Sequence, residues 1–66
     1  MDFTEKARVR IAHWVEHGEN HLKEYETFAQ ELETNGKNES AQQSREMAAL
    51  AAQGNGCLAR ALKALG

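Results

Sequence analysis

Apolar residues recur every three to four positions along most of the chain. In the first half the pattern runs through Ala7, Ile11, Trp14, Gly18, His21, Tyr25, Phe28 and Leu32. Val15, Leu22 and Ala29 widen this stripe, as expected for a helix that packs into a bundle rather than along a narrow coiled-coil seam. Alternation typical of strands is not visible. The pattern predicts a first helix from about residue 2 to residue 34.

A short turn should separate this helix from a second one. The turn covers residues 35–38, where Gly36 suits the left-handed position just past a helix end. A second helix is then predicted from about residue 39 to residue 65. Because so short a connection makes long helices antiparallel neighbours, we expect one all-α domain over residues 1–66, a long antiparallel helical hairpin.

Both helix starts offer capping residues. Asp2 followed three positions later by Glu5 resembles a capping box, and Thr4 is a rival N-cap. Asn38 or Ser40 suits the N-cap of the second helix.

Glycines interrupt the second helix. Its predicted buried face consists of Ala41, Ser44, Met47, Ala48, Ala51 and Ala52, followed by Leu58, Leu62 and Leu65. Gly54 and Gly56 lie within it, and each glycine costs about 1 kcal/mol in a helix interior. Because the apolar period resumes in phase afterwards, we predict a continuous or mildly bent helix. A break at residues 54–56, which would give three helices, is the alternative.

The hairpin register brings the unusual residues to one level. If the turn centres on residues 36–37, residues whose numbers sum to about 73 lie opposite each other. Gly18 is then level with residues 54–55, and His17 with residues 56–57. Three glycines at this level predict a waist where the two backbones approach closely, beside the histidines and the only thiol.

Two helices cannot enclose a core. Trp14, Tyr25 and Phe28 would stay half exposed in a lone hairpin, and Cys57, the only cysteine, cannot form an internal disulfide. Pairing two hairpins covers both apolar stripes. We therefore predict a homodimer that forms a four-helix bundle.

Charge and composition narrow the possible partners. The net charge is −2, whereas nucleic-acid-binding proteins normally carry a basic surface, so no nucleic-acid partner is expected. No apolar run is long enough to span a membrane. One free thiol and the lack of a signal-peptide pattern predict a cytoplasmic protein.

The three histidines carry the clearest candidate chemistry. His13, His17 and His21 are spaced four residues apart, which on a helix stacks their side chains along one face. Two imidazoles at this spacing can share one metal ion, but all three cannot, because eight residues span about 12 Å of helix. Further ligands must come from elsewhere; the candidates are Glu16, Asn20, Glu24, Cys57 across the hairpin, or a symmetry-related stripe. Imidazole ligands suit nickel, zinc or copper.

Each of these residues also has a plainer interpretation. The histidine stripe could simply be solvated, and His21 could be a hydrogen-bonded core residue, since it falls on the apolar pattern. Cys57 could be an inert, buried small residue. No general acid–base pair stands out among the carboxylates, so we do not expect an enzyme.

The run from His13 to His21, followed by Tyr25 and Ala29, resembles a little-studied group of small prokaryotic proteins. Those proteins are helical hairpins with an H-W-x-x-H-x-x-x-H signature near the middle of the first helix. The resemblance covers nearly the whole chain. It implies the hairpin fold and a metal-associated role, and it implies no catalysis.

Three functions are compatible with these patterns. The first is a small protein that binds a transition metal through His13, His17 and His21, with Cys57 as a further candidate ligand. The second is a helical, dimeric interaction or scaffold module that docks a partner protein without metal. The third is a regulatory protein that senses pH through imidazoles, which titrate near pH 6.5.

Overall fold

Two long helices and a three-residue turn make up the computed structural model, which describes residues 2–66. Helix α1 spans Phe3–Thr34 and helix α2 spans Asn38–Ala64. They pack as an antiparallel hairpin 51 Å long and 15 by 11 Å across. The predicted all-α hairpin is confirmed. Because α2 runs unbroken through its two internal glycines, the three-helix alternative is wrong.

The helix starts differ in how they are capped. The side chain of Asp2 accepts a hydrogen bond from the backbone N–H of Glu5 at 2.9 Å, so the capping residue of α1 is Asp2. Helix α2 begins after Lys37, which makes no side-chain capping hydrogen bond. The predicted N-caps Asn38 and Ser40 are therefore wrong, because both residues already lie inside the helix.

The turn is held by backbone hydrogen bonds that close the end of α1. The N–H of Gly36 donates to the carbonyl of Glu33 at 3.0 Å, and the N–H of Lys37 donates to the carbonyl of Leu32 at 2.8 Å. This pair of bonds is the Schellman arrangement, which needs a left-handed residue in the middle. Gly36 supplies it with a φ of 78°, as the sequence predicted.

One line of residues on each helix forms the contact between them, and we call it the seam. The seam of α1 consists of Ala7, Ile11, Val15, Gly18, Leu22, Tyr25, Ala29 and Leu32, all buried or half-buried. The seam of α2 consists of Ala41, Ser44, Ala48, Ala51, Asn55, Leu58, Leu62 and Leu65. The alternating spacing of three and four residues is that of a coiled coil.

The seam corrects the predicted apolar stripes. On α1 the predicted line ran through Trp14, His21 and Phe28, but all three are exposed. Their neighbours Val15, Leu22 and Ala29, which were expected only to widen the stripe, occupy the seam instead. On α2, Met47 and Ala52 are exposed, and Asn55 takes a seam position. Trp14 and Phe28 are left outside the seam, whereas Tyr25 lies within it.

Candidate functional site: the apolar side and its histidines

The two surfaces flanking the seam differ in chemistry. On one, which we call the acidic side, Glu19, Glu26 and Glu33 recur every seven residues on α1. The carboxylate of Glu33 forms an ion pair with Arg45 of α2. Both partners are about half exposed, so this pair contributes little to stability.

The other surface, which we call the apolar side, carries the large side chains that the seam excludes. Phe28 of α1 and Met47 of α2 line one groove together with Tyr25 and Ser44. Helical periodicity extends the same surface along both helices. Its residues are Trp14, His17, His21 and Phe28 of α1, and Met47, Leu50, Gly54 and Cys57 of α2.

Large apolar groups on this side face solvent in the single chain. Trp14 is 48% exposed, Phe28 57% and Leu50 66%. By contrast, the buried hydrophobic residues among those described are Ala29 and Ala41, both fully buried, and Ala48, which is 5% exposed. The hairpin thus buries its smallest apolar side chains and exposes several of its largest.

The three histidines form a continuous row along α1, and His17 and His21 of this row lie on the apolar side. The ring centroids of His13 and His17 lie 4.3 Å apart, and those of His17 and His21 lie 5.7 Å apart. His21 in turn stacks on Tyr25, with ring centroids 6.1 Å apart and planes 15° apart. All three histidines are exposed, so the core position considered for His21 is wrong.

Glu24 lies beside the last histidine of the row. Its Oε2 is 3.4 Å from Nδ1 of His21, one helical turn away. A carboxylate at Nδ1 favours the tautomer that carries its proton there, which leaves the lone pair on Nε2. Histidines that bind metals usually have such a partner on the other ring nitrogen.

The predicted ligands do not all converge in one chain. Within residues 2–66, no group of three or more His, Cys, Asp or Glu side chains is close enough to hold a metal ion. Cys57 is exposed, which corrects its interpretation as a buried small residue, and its Sγ accepts a hydrogen bond from Nη2 of Arg60 at 3.3 Å. The ligand roles of His13, His17, His21 and Cys57 stay predictions.

Of the three glycines predicted to form the waist, only Gly18 lies against the other helix. Gly18 and Asn55 face each other, as the predicted register requires. A Cβ at Gly18 would lie 2.2 Å from Oδ1 and 2.8 Å from Cγ of Asn55. At Gly54 a Cβ would meet nothing within 4 Å, and at Gly56 its nearest neighbour is Nη1 of Arg60, in the same helix, at 3.3 Å. The predicted three-glycine waist is therefore wrong.

Asn55 was not singled out from the sequence as a functional or packing residue. Its Nδ2 is buried at the seam and has no hydrogen-bond partner. A buried, unpaired amide costs stability. The fold nevertheless places this side chain against the backbone of Gly18, where no side chain occupies the space. The only signal in the sequence was its position opposite Gly18.

Comparison with known families places the chain. Residues 7–65 match a family described as a domain of unknown function, DUF8180. The chain belongs to the DUF8180 family. This match agrees with the expectation of a little-studied family, whereas the H-W-x-x-H-x-x-x-H signature stays a prediction. No curated protein and no solved structure is significantly similar to this DUF8180 chain. Neither helix, over the residues described, has an 18-residue stretch apolar enough to cross a membrane.

Proposed function

We propose that this protein is a self-associating helical module whose apolar side is covered by a second copy, giving a four-helix bundle. The observation that carries the proposal is the exposure of Trp14, Phe28, Met47 and Leu50 beside a seam that buries only alanines completely. Large apolar side chains stabilise a fold when they leave water. A second copy supplies the surface that one hairpin lacks.

The exposed area supports the same proposal. The chain exposes 5070 Å², whereas a compact monomer of 7.4 kDa exposes about 4,200 Å². The excess of about 900 Å² reflects an elongated hairpin, 51 Å long and 15 by 11 Å across, whose long sides offer room for the roughly 800 Å² that each partner buries in a standard interface.

Charge favours an antiparallel arrangement of the two copies. Arg10 and Lys6 line the groove beside Trp14, near the open end of the hairpin. Glu24 and Glu31, with Lys23 as the one cation, line the groove beside Phe28, nearer the turn. A two-fold axis across the middle of the hairpin sets the basic end of one copy against the acidic end of the other.

Sedimentation of the wild type and two matched variants tests the dimer. Phe28→Glu puts a charge on the apolar side and should give a monomer. Val9→Glu makes the same kind of change at an exposed apolar residue on the outward face of α1, so it should remain a dimer. In the wild type, emission from Trp14, the only tryptophan, should shift to the blue as dimers form. A wild type that stays monomeric at high micromolar concentration would refute the proposal.

A second candidate function is transition-metal binding by the histidine row. What supports it is the approach of His17 to both neighbouring imidazoles, together with the Glu24 carboxylate at Nδ1 of His21. A pair of imidazoles spaced four residues apart can bind one ion of nickel, zinc or copper.

Titration calorimetry on protein without a histidine tag tests this second function. If a single chain binds the ion, His17 belongs to both possible pairs, so His17→Ala should lose more affinity than His13→Ala or His21→Ala. The solvated-stripe interpretation instead expects no saturable binding. A dissociation constant above about 100 μM for all three metals, or a binding free energy weaker than about −5.5 kcal/mol, would rule out the metal-binding function. The self-associating interaction module would then be the remaining candidate.

A further inference from the structure

Two of the histidines, His17 and His21, lie near the middle of the hairpin. Helix α1 spans Phe3–Thr34, so its midpoint falls between residues 18 and 19. His17 and His21 lie on either side of that midpoint, each within about 4 Å of it along the helix at 1.5 Å per residue. His21 stacks on Tyr25, which lines the apolar groove with Phe28.

A two-fold axis at mid-length would bring both copies' histidines together. In a fully overlapping antiparallel dimer the axis crosses α1 at its midpoint. His17 of one copy then lies within one residue, or about 1.5 Å, of the level of His21 of the other, and the reverse holds across the axis. All four residues fall within about 8 Å along the bundle, because His21 of each copy lies about 4 Å from the axis, on opposite sides.

We propose that the two copies share one transition-metal ion at this axis, held by His17 and His21 of each chain. The inference rests on the proposed homodimer and deepens the second candidate function, since it names the partner that completes the site. One chain's pair leaves coordination positions open, and four nitrogen donors fill a tetrahedral zinc site. The Glu24 carboxylate at 3.4 Å from Nδ1 orients His21 with Nε2 free for the ion.

His13 is excluded from the shared site and provides the matched control. Its ring is as close to His17 as any in the row, at 4.3 Å between centroids. Its helical position, however, is turned further from the seam than those of His17 and His21, and it lines a groove with Lys6, Val9, Arg10 and Trp14. A site within one chain would use the close pair of His13 and His17, whereas the shared site uses His17 and His21.

Metal binding and dimerisation should therefore be coupled. An ion that binds only between two chains stabilises the dimer, and the dimer in turn raises the affinity for the ion. Sedimentation of the untagged protein with and without zinc, nickel or copper measures the first effect. Elemental analysis of the dimer at saturation measures the stoichiometry.

We expect one bound ion for every two chains. We also expect the dissociation constant of the dimer to be at least tenfold lower in the presence of metal than in its absence. His17→Ala and His21→Ala should abolish this tightening, and His13→Ala should retain it. Saturation at one ion per chain with unchanged association, or loss of binding in His13→Ala but not His21→Ala, would overturn the shared site. A dimer indifferent to all three metals would overturn this inference alone, whereas a monomer under every condition would overturn the homodimer as well.

Discussion

The contact between Gly18 and Asn55 predicts an unusual response to a small substitution. Gly18→Ala adds one methyl group, whose carbon would lie 2.2 Å from Oδ1 of Asn55 and 3.1 Å from Nδ2. Either the amide leaves the seam or the two helices separate locally. Overpacking of this kind costs about 1–3 kcal/mol, and replacing glycine by alanine in a helix returns about 1 kcal/mol. We expect a net loss of about 1 kcal/mol in the free energy of unfolding.

Removing the obstructing side chain should reverse the sign of this effect. In an Asn55→Ala background, Gly18→Ala meets no amide and should stabilise the protein by up to about 1 kcal/mol, the helix-propensity difference. Asn55→Ala also removes an Nδ2 that is buried without a partner. The double-mutant cycle should show coupling of about 1–3 kcal/mol, as for residues in direct contact.

Urea unfolding followed by circular dichroism supplies the free energies by linear extrapolation. All variants are compared at one protein concentration, because association would shift apparent stability. Gly56→Ala is the control, since its new methyl would meet only the flexible end of Arg60 at 3.3 Å. If Gly18→Ala stabilises the protein as much as Gly56→Ala does, the close contact at the waist is refuted.

Three further substitutions test other parts of the structure. Asp2→Ala removes the acceptor for the N–H of Glu5 and should cost about 1 kcal/mol, with Thr4→Ala as a near-neutral control in thermal unfolding. Arg45→Ala breaks the half-exposed pair with Glu33 and should cost less than about 1 kcal/mol; a loss that does not shrink in high salt would contradict a surface pair. Gly54→Ala meets open space in the single hairpin and should stabilise a monomeric variant such as Phe28→Glu by up to about 1 kcal/mol. A smaller gain in the wild type would indicate that a second copy packs over Gly54, whereas equal gains would argue against close packing there.

The sequence by itself determined the helices, the turn and the register. Helix-favouring composition and a period of three to four residues decide the helices locally, and Gly36 ends α1 because it adopts a φ of 78° without strain. The short turn then leaves little freedom in register, which is why the sequence alone places Gly18 level with Asn55, as in the structure.

Only the tertiary structure decided which apolar residues face the partner helix. Val15 and Trp14, like Ala29 and Phe28, are neighbours in the chain, and hydrophobicity alone does not choose between them. The smaller members, Val15 and Ala29, face the partner helix, because the helices pack closely where Gly18 meets the side chain of Asn55; Trp14 and Phe28 lie outside the seam. The aromatic rings were thereby moved to the apolar side, next to His17 and His21. Their location follows from packing between residues far apart in sequence, which the local pattern does not contain.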